Sequence, residues 1–215
     1  PEIHREFAEY AAAQGKSFVV MYGAAEATAR MGYLPAQDAV RKTGAMGLAI
    51  PGGRFELCDD AGAVITAEHR IGELIYYGAN VTLGYAECGA DLALGDVRGG
   101  CYATGDLASR DADGYYTIVG RKRRFLKLFG KRTNLQEAEH LLRRRFGDIE
   151  VACAGVDDHL YVFVTQEEIV PEVVPFLSGK LGVHHSAFTA KCIDVIPKNP
   201  SGKTVYRALE QYYDL

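Results

Sequence analysis

The sequence lacks the features that would mark it at once as a membrane, secreted, metal-binding or nucleic-acid-binding protein. No apolar run is long enough to span a bilayer, and the first residues do not follow a charged and then apolar secretory pattern. The five cysteines are far apart and form no Cys-x-x-Cys pair, so we expect reduced thiols rather than disulfides or a zinc site. The net charge of −4 gives no general reason to expect a nucleic-acid partner. These absences favour a cytoplasmic globular protein.

What the chain does have is an ordinary globular composition and an uneven distribution of charge. Of its 215 residues, 48% are hydrophobic and 24% are charged, which suits one large domain or two small ones. Residues 1–119 have a net charge of −7 and residues 120–215 a net charge of +3. The sign changes at a basic stretch, residues 120–132, in which seven of thirteen residues are Lys or Arg. A solvated loop would explain this stretch, but so would a joint, and we predict two domains, 1–120 and 121–215.

The first predicted domain begins with a helix and is otherwise rich in strands. Apolar residues at helical spacing predict an amphipathic helix over residues 2–14, and a short buried strand over 17–21 follows it. Beyond Gly44, short apolar runs alternate with turns that contain glycine and aspartate. The strands predicted in this region are 54–58, 72–77 and 115–119. We therefore expect a β-rich subdomain with the form of a distorted barrel or a small sheet.

Helix and strand signals alternate in the second predicted domain. Asn134 has the position of an N-cap for a helix that continues to Phe146, with acidic residues in its first turn. Strands are predicted over 150–156, 160–165 and 191–196, and helices over 172–181 and 205–213. This succession is typical of an α+β sandwich. The predicted fold is thus α+β, with a β-rich, barrel-like subdomain followed by a small α+β domain.

Two short segments carry residue types suited to nucleotide chemistry. Tyr22-Gly23-x-x-Glu26 follows a predicted strand and offers an aromatic face for an adenine and a carboxylate for Mg²⁺. A core tyrosine beside a surface acid is the alternative interpretation. Tyr102-x-Thr104-Gly105-Asp106 places a carboxylate after a glycine turn, where it can accept both hydroxyls of a ribose. The alternative there is an ordinary turn aspartate.

A third segment, residues 197–203, is a stiff proline-containing loop that ends by presenting Lys203 just before a predicted helix. Its tail resembles the end of a phosphate-binding P-loop. The first glycine of that motif would fall at Pro197, so a P-loop is excluded. A metal site at the adjacent His184 and His185 is disfavoured as well, because no other group of ligands accompanies them.

Taken together and in order, five motifs extend over essentially the whole chain. They are YGxxE at 22–26, GEL…GY at 72–85, YxTGD at 102–106, GR…K..G.R at 120–132 and P.NPSGK at 197–203. This series resembles the adenylate-forming (AMP-binding) superfamily, which contains acyl-CoA synthetases, aryl-CoA ligases, adenylation domains of peptide synthetases, and luciferase. The resemblance implies a ligase that uses ATP to join a small carboxylic acid to a thiol.

The resemblance also implies roles on the nucleotide side of the site. The corresponding positions are Tyr22, Gly23, Ala25, Glu26, Asp106 and Arg121. Tyr22 is similar to the aromatic residue that stacks on adenine, and Glu26 to the acid associated with Mg²⁺. Asp106 resembles the carboxylate that clamps the ribose of ATP or AMP, with Arg121 as its helper.

Further implied roles fall in the second domain, which resembles the mobile C-terminal lid of the superfamily. Lys203 matches the lysine that reaches the α-phosphate and the acyl carboxylate during adenylation. Arg123 lies at the pivot about which the lid swings. Lys127 and Gly130 resemble loop residues that line the tunnel for the thiol, and a glycine there lets a pantetheine arm pass close to the backbone. The acceptor is coenzyme A or a carrier protein, and the basic density around Lys127 favours coenzyme A.

Three departures from the superfamily pattern shape the expected function. Ala25 stands where a Thr or Ser hydroxyl usually touches the α-phosphate, a loss of about 1–3 kcal/mol in phosphate binding. Arg123 stands at a position that is often Asp and sometimes Lys in the superfamily, and it follows the basic variant. The phosphate loop and most of the acyl pocket, which precede the YGxxE motif in the superfamily, are absent, and the chain starts at Pro1 without a methionine. We therefore expect the C-terminal portion of a longer ligase, inactive by itself; a non-catalytic binding module is the alternative.

Overall fold

The chain divides within its basic stretch. In the computed structural model, which describes residues 2–213, one compact unit is Pro1–Lys122 and the other is Arg123–Leu215. We call these unit 1 and unit 2. The division falls two residues beyond the predicted boundary at residue 120.

Unit 1 begins with a helix and a small antiparallel sheet. The helix is α1 (Glu2–Ala13), and the sheet contains β1 (Val20–Tyr22), β2 (Gly32–Leu34) and β3 (Leu48–Ala49) in that order. The predicted helix is confirmed, although its large apolar side chains, Ile3, Phe7 and Tyr10, are exposed and Ala8 is its buried residue. His4 ties the helix down: its Nε2 lies 2.9 Å from the Ala39 carbonyl oxygen, and its Nδ1 accepts the Gly44 N–H at 3.1 Å.

The larger sheet of unit 1 has four antiparallel strands, each paired with the next along the chain. They are β4 (Arg54–Cys58), β5 (Gly72–Tyr77), β6 (Cys101–Arg110) and β7 (Tyr116–Arg121). Buried and half-buried residues alternate along β5, as the period of two in a strand requires. The Phe55 ring packs between Tyr76 and Tyr116, with centroid separations of 5.3 and 5.2 Å, and these rings form the middle of the core.

Of the two forms expected for this region, the distorted barrel is wrong and the small sheet is observed. Within residues 2–213 the four-stranded sheet stays open, because β4 and β7 lie at its two edges and do not pair with each other. The strands predicted over 54–58 and 72–77 are confirmed, and that predicted over 115–119 lies at Tyr116–Arg121. The short strand predicted over 17–21 is displaced to Val20–Tyr22 because its antiparallel partner is Gly32–Leu34.

Unit 2 places two helices against a three-stranded sheet. A hairpin of β8 (Phe125–Leu128) and β9 (Lys131–Asn134) leads into α2 (Leu135–Phe146). The sheet contains β10 (Val151–Val156), β11 (His159–Val164) and β12 (Phe188–Cys192), with α3 (Val170–Leu181) between the last two strands. Strands β10 and β11 are antiparallel, and β11 and β12 are parallel. The result is the mixed α and β architecture that the sequence predicts.

Local signals predict the start of α2 correctly, and long-range pairing decides the rest. The Asn134 side chain caps α2 by accepting the N–H groups of Gln136 and Glu137, as predicted. Strand β12 starts three residues before the predicted 191–196, because its register is set by the parallel partner β11. The terminal helix is a 3₁₀ helix, Tyr206–Tyr212, anchored through buried Leu209. In the part of the chain that the structure describes, every α-helix is too short to cross a membrane.

Candidate active site

In unit 1, two of the predicted motifs meet at a buried carboxylate. Tyr22 ends β1 and donates its hydroxyl to Asp106 Oδ2 at 2.5 Å. Arg121 ends β7 directly across from Asp106 on β6, and its Nε lies 2.8 Å from Oδ1. The Asp106 side chain is only 8% exposed, whereas that of Arg121 is 61% exposed. The carboxylate is therefore fixed by two donors from different strands, one of them reaching in from the solvent.

The position of Asp106 follows from a kink inside β6. Gly105 has φ +70°, a conformation that favours glycine, and the pairing with β7 shifts register between Leu107 and Ala108. The Thr104 hydroxyl donates to the Leu74 carbonyl at 2.8 Å and accepts the Asp106 N–H at 3.0 Å. The predicted glycine turn is thus a bend within a ten-residue strand, and it re-aims the Asp106 side chain.

The environment of Tyr22 keeps its hydroxyl protonated. Burial and the hydrogen bond to Asp106 both raise the pKa of Tyr22 well above its usual range. The ring packs edge-on against Phe55 at a centroid distance of 6.2 Å. Tyr22 therefore acts as a donor to Asp106, a contact between residues 84 apart that the motifs do not predict. Stacking of its ring on adenine stays a prediction.

The turn after Tyr22 leaves no room for a side chain at its first position. A Cβ on Gly23 would lie 1.9 Å from the Ala29 carbonyl oxygen, so the fold of the turn itself requires glycine. Ala25 is exposed and starts the short 3₁₀ helix Ala25–Ala27. Its methyl group supplies no hydrogen bond, so any phosphate contact at this position has to come from backbone N–H groups.

Glu26 is oriented by an aromatic residue to which the sequence analysis gave no role. The Tyr85 hydroxyl donates to Glu26 Oε1 at 2.5 Å, and this hydrogen bond is the main cause that lowers the pKa of Glu26. The Arg98 guanidinium lies 4.5 Å from the Tyr85 ring centroid and donates to the Thr82 hydroxyl at 2.5 Å. Tyr85 belongs to the GEL…GY motif, which was the signal that pointed to it.

Glu26 fits a Mg²⁺ ion only when other ligands come from outside the protein. Among residues 2–213 there is no group of three or more His, Cys, Asp or Glu side chains placed to hold a metal, His184 and His185 included. Mg²⁺ commonly takes one or two protein carboxylates and fills the remaining positions with phosphate oxygens and water. One ionised carboxylate beside a nucleotide meets that requirement.

In unit 2, Lys203 is presented by a loop with its own internal order. Asn199 Oδ1 accepts the N–H groups of Ser201 and Lys203 at 3.0 and 2.9 Å, and the Asn199 N–H donates to the Lys203 carbonyl at 2.9 Å. Gly202 closes this turn with φ +76°. The Lys203 side chain is exposed, and within the described residues no hydrogen bond or ion pair holds its ammonium group. The loop therefore offers a solvated cation on an ordered backbone.

The other unit 2 candidates lie at its beginning. Arg123 is exposed and is the first residue of the unit. Lys127 is exposed on β8, and its N–H donates to Asp157 Oδ1 at 2.9 Å. Gly130, with φ +82°, completes the turn of the β8–β9 hairpin. The structure thus brings Tyr22, Asp106 and Arg121 into contact, and places Lys127 and Gly130 on one hairpin.

Comparison with known proteins shows which family the chain is similar to. A family model described as AMP-binding enzyme matches residues 1–86. The L-proline–[L-prolyl-carrier protein] ligase of Streptomyces coelicolor is 34% identical over 76% of this chain and 32% of its own length. The indoleacetate–CoA ligase of Aromatoleum aromaticum is 27% identical over 94% of this chain and 39% of its own length. The chain therefore spans about a third to two fifths of these curated relatives.

Solved structures agree with the sequence comparisons. An ATP-bound RpMatB–BxBclM chimera matches 94% of this chain and 42% of its own, with 26% identity and a TM-score of 0.71. The O-succinylbenzoate coenzyme A synthetase MenE of Bacillus subtilis, solved with ATP and magnesium, matches 95% of this chain and 44% of its own, with 19% identity and a TM-score of 0.69. The resemblance seen in the five motifs is confirmed: the chain fits the AMP-binding superfamily of adenylate-forming enzymes.

Proposed function

We propose that the chain is the C-terminal portion of an AMP-forming acid–thiol ligase. In the first half-reaction a carboxylate oxygen attacks the α-phosphorus of ATP, the bond to the β-phosphate oxygen breaks, and pyrophosphate leaves. In the second, a thiol attacks the acyl carbon of the adenylate, loses its proton, and AMP leaves. The observation that carries the proposal is the buried Asp106 carboxylate, held by Tyr22 and Arg121. Relatives named as CoA and carrier-protein ligases support it.

Asp106 is suited to hold a ribose. A carboxylate offers about four lone-pair positions, and Tyr22 and Arg121 occupy one on each oxygen. Two positions are therefore left for the two ribose hydroxyls. Arg121 is exposed, so its planar guanidinium can keep its contact with Asp106 and still face a nucleotide. Tyr22 presents a half-buried ring to the adenine from the other side of the same carboxylate.

Glu26 would hold Mg²⁺ together with the phosphates of ATP. Bound there, the ion would neutralise phosphate charge. The part played by the protein is to keep Glu26 ionised and oriented, and the Tyr85 hydroxyl does both by donating to it. Ala25 leaves the α-phosphate without a side-chain hydroxyl, so we expect phosphate positioning to depend more strongly on Lys203.

Lys203 is the proposed catalytic residue of adenylation. Attack on phosphorus spreads negative charge over several oxygens, and a positioned ammonium group stabilises that charge. Unit 2 is proposed to act as a lid that turns about Arg123 between the half-reactions, while Arg121 stays with Asp106 in unit 1. The lid first delivers Lys203 and then the hairpin of Lys127 and Gly130, where the pantetheine arm of coenzyme A or a carrier protein would pass.

Substitution of Lys203 in the full-length enzyme tests this assignment. Lys203→Ala is expected to abolish ATP–pyrophosphate exchange while transfer of the acyl group from a supplied acyl-adenylate to the thiol is spared. Lys198→Ala is the matched control, because it removes the same charge from the same loop. Its ion pair with Glu150 is exposed on both sides and contributes at most about 1 kcal/mol, so the rate of ATP–pyrophosphate exchange should fall about fivefold or less in Lys198→Ala. Equal loss of both half-reactions in Lys203→Ala would contradict the role.

A second candidate function is a non-catalytic nucleotide-binding module that keeps the superfamily fold. The observation that favours it is Ala25, because an active site is expected to retain a phosphate-binding hydroxyl there. Calorimetry with AMP and an ATP–pyrophosphate exchange assay on the full-length protein separate the two candidates. Binding of AMP without exchange activity would favour the module, and exchange activity would exclude it.

A further inference from the structure

Unit 2 contains a buried carboxylate that the proposed chemistry does not use. Glu139 lies on the inner face of α2, and its side chain is 4% exposed. Its Oε1 accepts from Arg124 Nη2 at 2.5 Å and from the Cys153 N–H at 2.9 Å. The Arg124 side chain is itself only 12% exposed. A charged pair is thus enclosed between the helix and the first strand of the sheet.

Arg124 carries the network to a third segment of the chain. Its Nη1 donates to the Cys153 carbonyl at 2.6 Å, and its guanidinium carbon lies 3.7 Å from the centroid of the Tyr206 ring. The Tyr206 hydroxyl donates to Glu139 Oε2 at 3.4 Å. The guanidinium is therefore held by a carboxylate, a backbone carbonyl and an aromatic face at once. The planar guanidinium of arginine can make these three contacts at once, and the ammonium group of lysine cannot.

The two ends of this network lie close in sequence to residues with proposed roles. Arg124 directly follows Arg123, the proposed pivot, and Tyr206 lies three residues after Lys203. Between them, the loop of Lys203 is closed by the hydrogen bonds of Asn199. The Val205 N–H donates to the Pro197 carbonyl at 2.8 Å, which closes the base of the loop. A continuous series of contacts thus connects the start of unit 2 to the backbone of Lys203.

A buried ion pair of this kind is a poor source of stability. Removing two charges from water costs several kcal/mol for each ion, and well-packed apolar residues often replace such pairs without loss. What the pair supplies is a defined arrangement, because each charged group tolerates few alternative positions. The arrangement fixed here is that of the Lys203 loop relative to the segment of Arg123 and Arg124.

We propose that Arg124, Glu139 and Tyr206 are positioning residues for Lys203. They hold the loop of Lys203 at a fixed distance and orientation from the start of unit 2, so that a rotation there moves the lysine as part of a rigid body. The proposal rests on the function proposed above, in which Lys203 acts in adenylation. It adds three residues that touch neither nucleotide nor thiol.

Backbone dynamics of the 215-residue chain give a test that needs no activity. We expect backbone ¹⁵N order parameters of about 0.85 at Gly202 and Lys203 in the unsubstituted chain. In both Tyr206→Leu and Arg124→Lys, we expect these order parameters to fall below about 0.6. Arg143→Gln is the matched control, because Arg143 also faces Glu139, at 3.8 Å, but lies outside the path to the loop. Unchanged order parameters in Tyr206→Leu and Arg124→Lys overturn the proposal, and so does a uniform decrease throughout unit 2. Where Tyr206→Leu does not fold, Arg124→Lys decides, since it keeps the charge opposite Glu139.

Half-reaction kinetics of the full-length enzyme give the second test. Displacement of a catalytic group by about 1 Å can cost on the order of 100-fold, so Tyr206→Leu and Arg124→Lys should lower kcat for ATP–pyrophosphate exchange about 10- to 100-fold. KM for ATP and thiol transfer from supplied acyl-adenylate should change less than about threefold, a split that general destabilisation would not produce. If Lys203→Ala abolishes exchange and these variants leave it intact, the positioning role alone fails. If Lys203→Ala leaves exchange intact, the proposed function fails first.

Discussion

Asp106 offers the sharpest test of the proposed nucleotide site, because the change can be made on the protein and on the ligand. Asp106→Asn keeps the shape of the side chain and one carbonyl oxygen, which can still accept from Tyr22. The new amide group would face Arg121 Nε, a donor facing a donor, but Arg121 is 61% exposed and can turn into water. We therefore expect a folded variant whose main defect is the loss of the negative charge that is proposed to receive the ribose hydroxyls.

The magnitude follows from the type of hydrogen bond. A hydrogen bond to a charged group contributes about 1.5–3 kcal/mol, and one between neutral groups about 0.5–1.5 kcal/mol. Replacing AMP by 2′-deoxy-AMP should thus weaken binding to the unsubstituted chain about 10- to 150-fold. The same replacement should weaken binding to Asp106→Asn several-fold less. The expected coupling between the two changes is on the order of 1–2 kcal/mol.

Isothermal titration calorimetry of the 215-residue chain with the two nucleotides measures this coupling. Unit 1 contains all three residues of the cluster, Tyr22, Asp106 and Arg121. Asp60→Asn, at a side chain that is 80% exposed, provides the control for loss of one negative charge from the same unit. If the 2′-hydroxyl contributes equally to the affinity of the unsubstituted chain and of Asp106→Asn, Asp106 does not contact the ribose.

Two further predictions concern ionisation and core packing. Tyr85→Phe removes the donor that lowers the pKa of Glu26. Because a lowered pKa keeps the carboxylate charged down to lower pH, an NMR titration should show Glu26 losing its charge at higher pH in the variant than in the unsubstituted chain. Tyr10→Phe is the control and should leave the Glu26 titration unchanged, and an unchanged titration in Tyr85→Phe would refute the reasoning. Leu142→Ala, at a fully buried position between α2 and the sheet, should lower the free energy of unfolding of unit 2 by about 2–5 kcal/mol in urea denaturation. Val195→Ala, at a side chain that is 64% exposed, should lower it by less than about 0.5 kcal/mol. Similar losses in both variants would show that Leu142 is not a core residue.

The sequence predicts those elements whose signals are local. The Asn134 cap and the alternation along β5 depend on neighbouring residues, and both are observed. Strand β6 was missed because Gly105 interrupts it with a turn-like φ, and only its pairing on both sides keeps the strand continuous. The register of β12 was missed for a related reason, since a parallel partner and not its own residues sets where it starts.

The motifs identify site residues more readily than they identify contacts. Residue types, the order of the motifs and the family resemblance singled out Tyr22 and Asp106 as candidates, yet their hydrogen bond joins residues 84 apart. The Tyr85–Glu26 hydrogen bond joins residues 59 apart. Such contacts depend on how separate strands meet, which periodicity does not encode. The basic stretch shows the same limit: its charge was visible, but Arg124 is a partly buried structural residue, while its neighbour Arg123 is exposed.

The contacts of Arg124 and Glu139 also affect the exposed edge of the sheet in unit 2. Strand β10 lies at the edge of its sheet, where unpaired N–H and C=O groups invite a strand from another copy to add on. Here side chains occupy those groups: Glu139 accepts the Cys153 N–H, Arg124 donates to the Cys153 carbonyl, and Arg143 donates to the Val151 carbonyl. The same buried pair that is proposed to order the loop of Lys203 therefore occupies backbone groups of β10 that would otherwise be open to a strand from another copy.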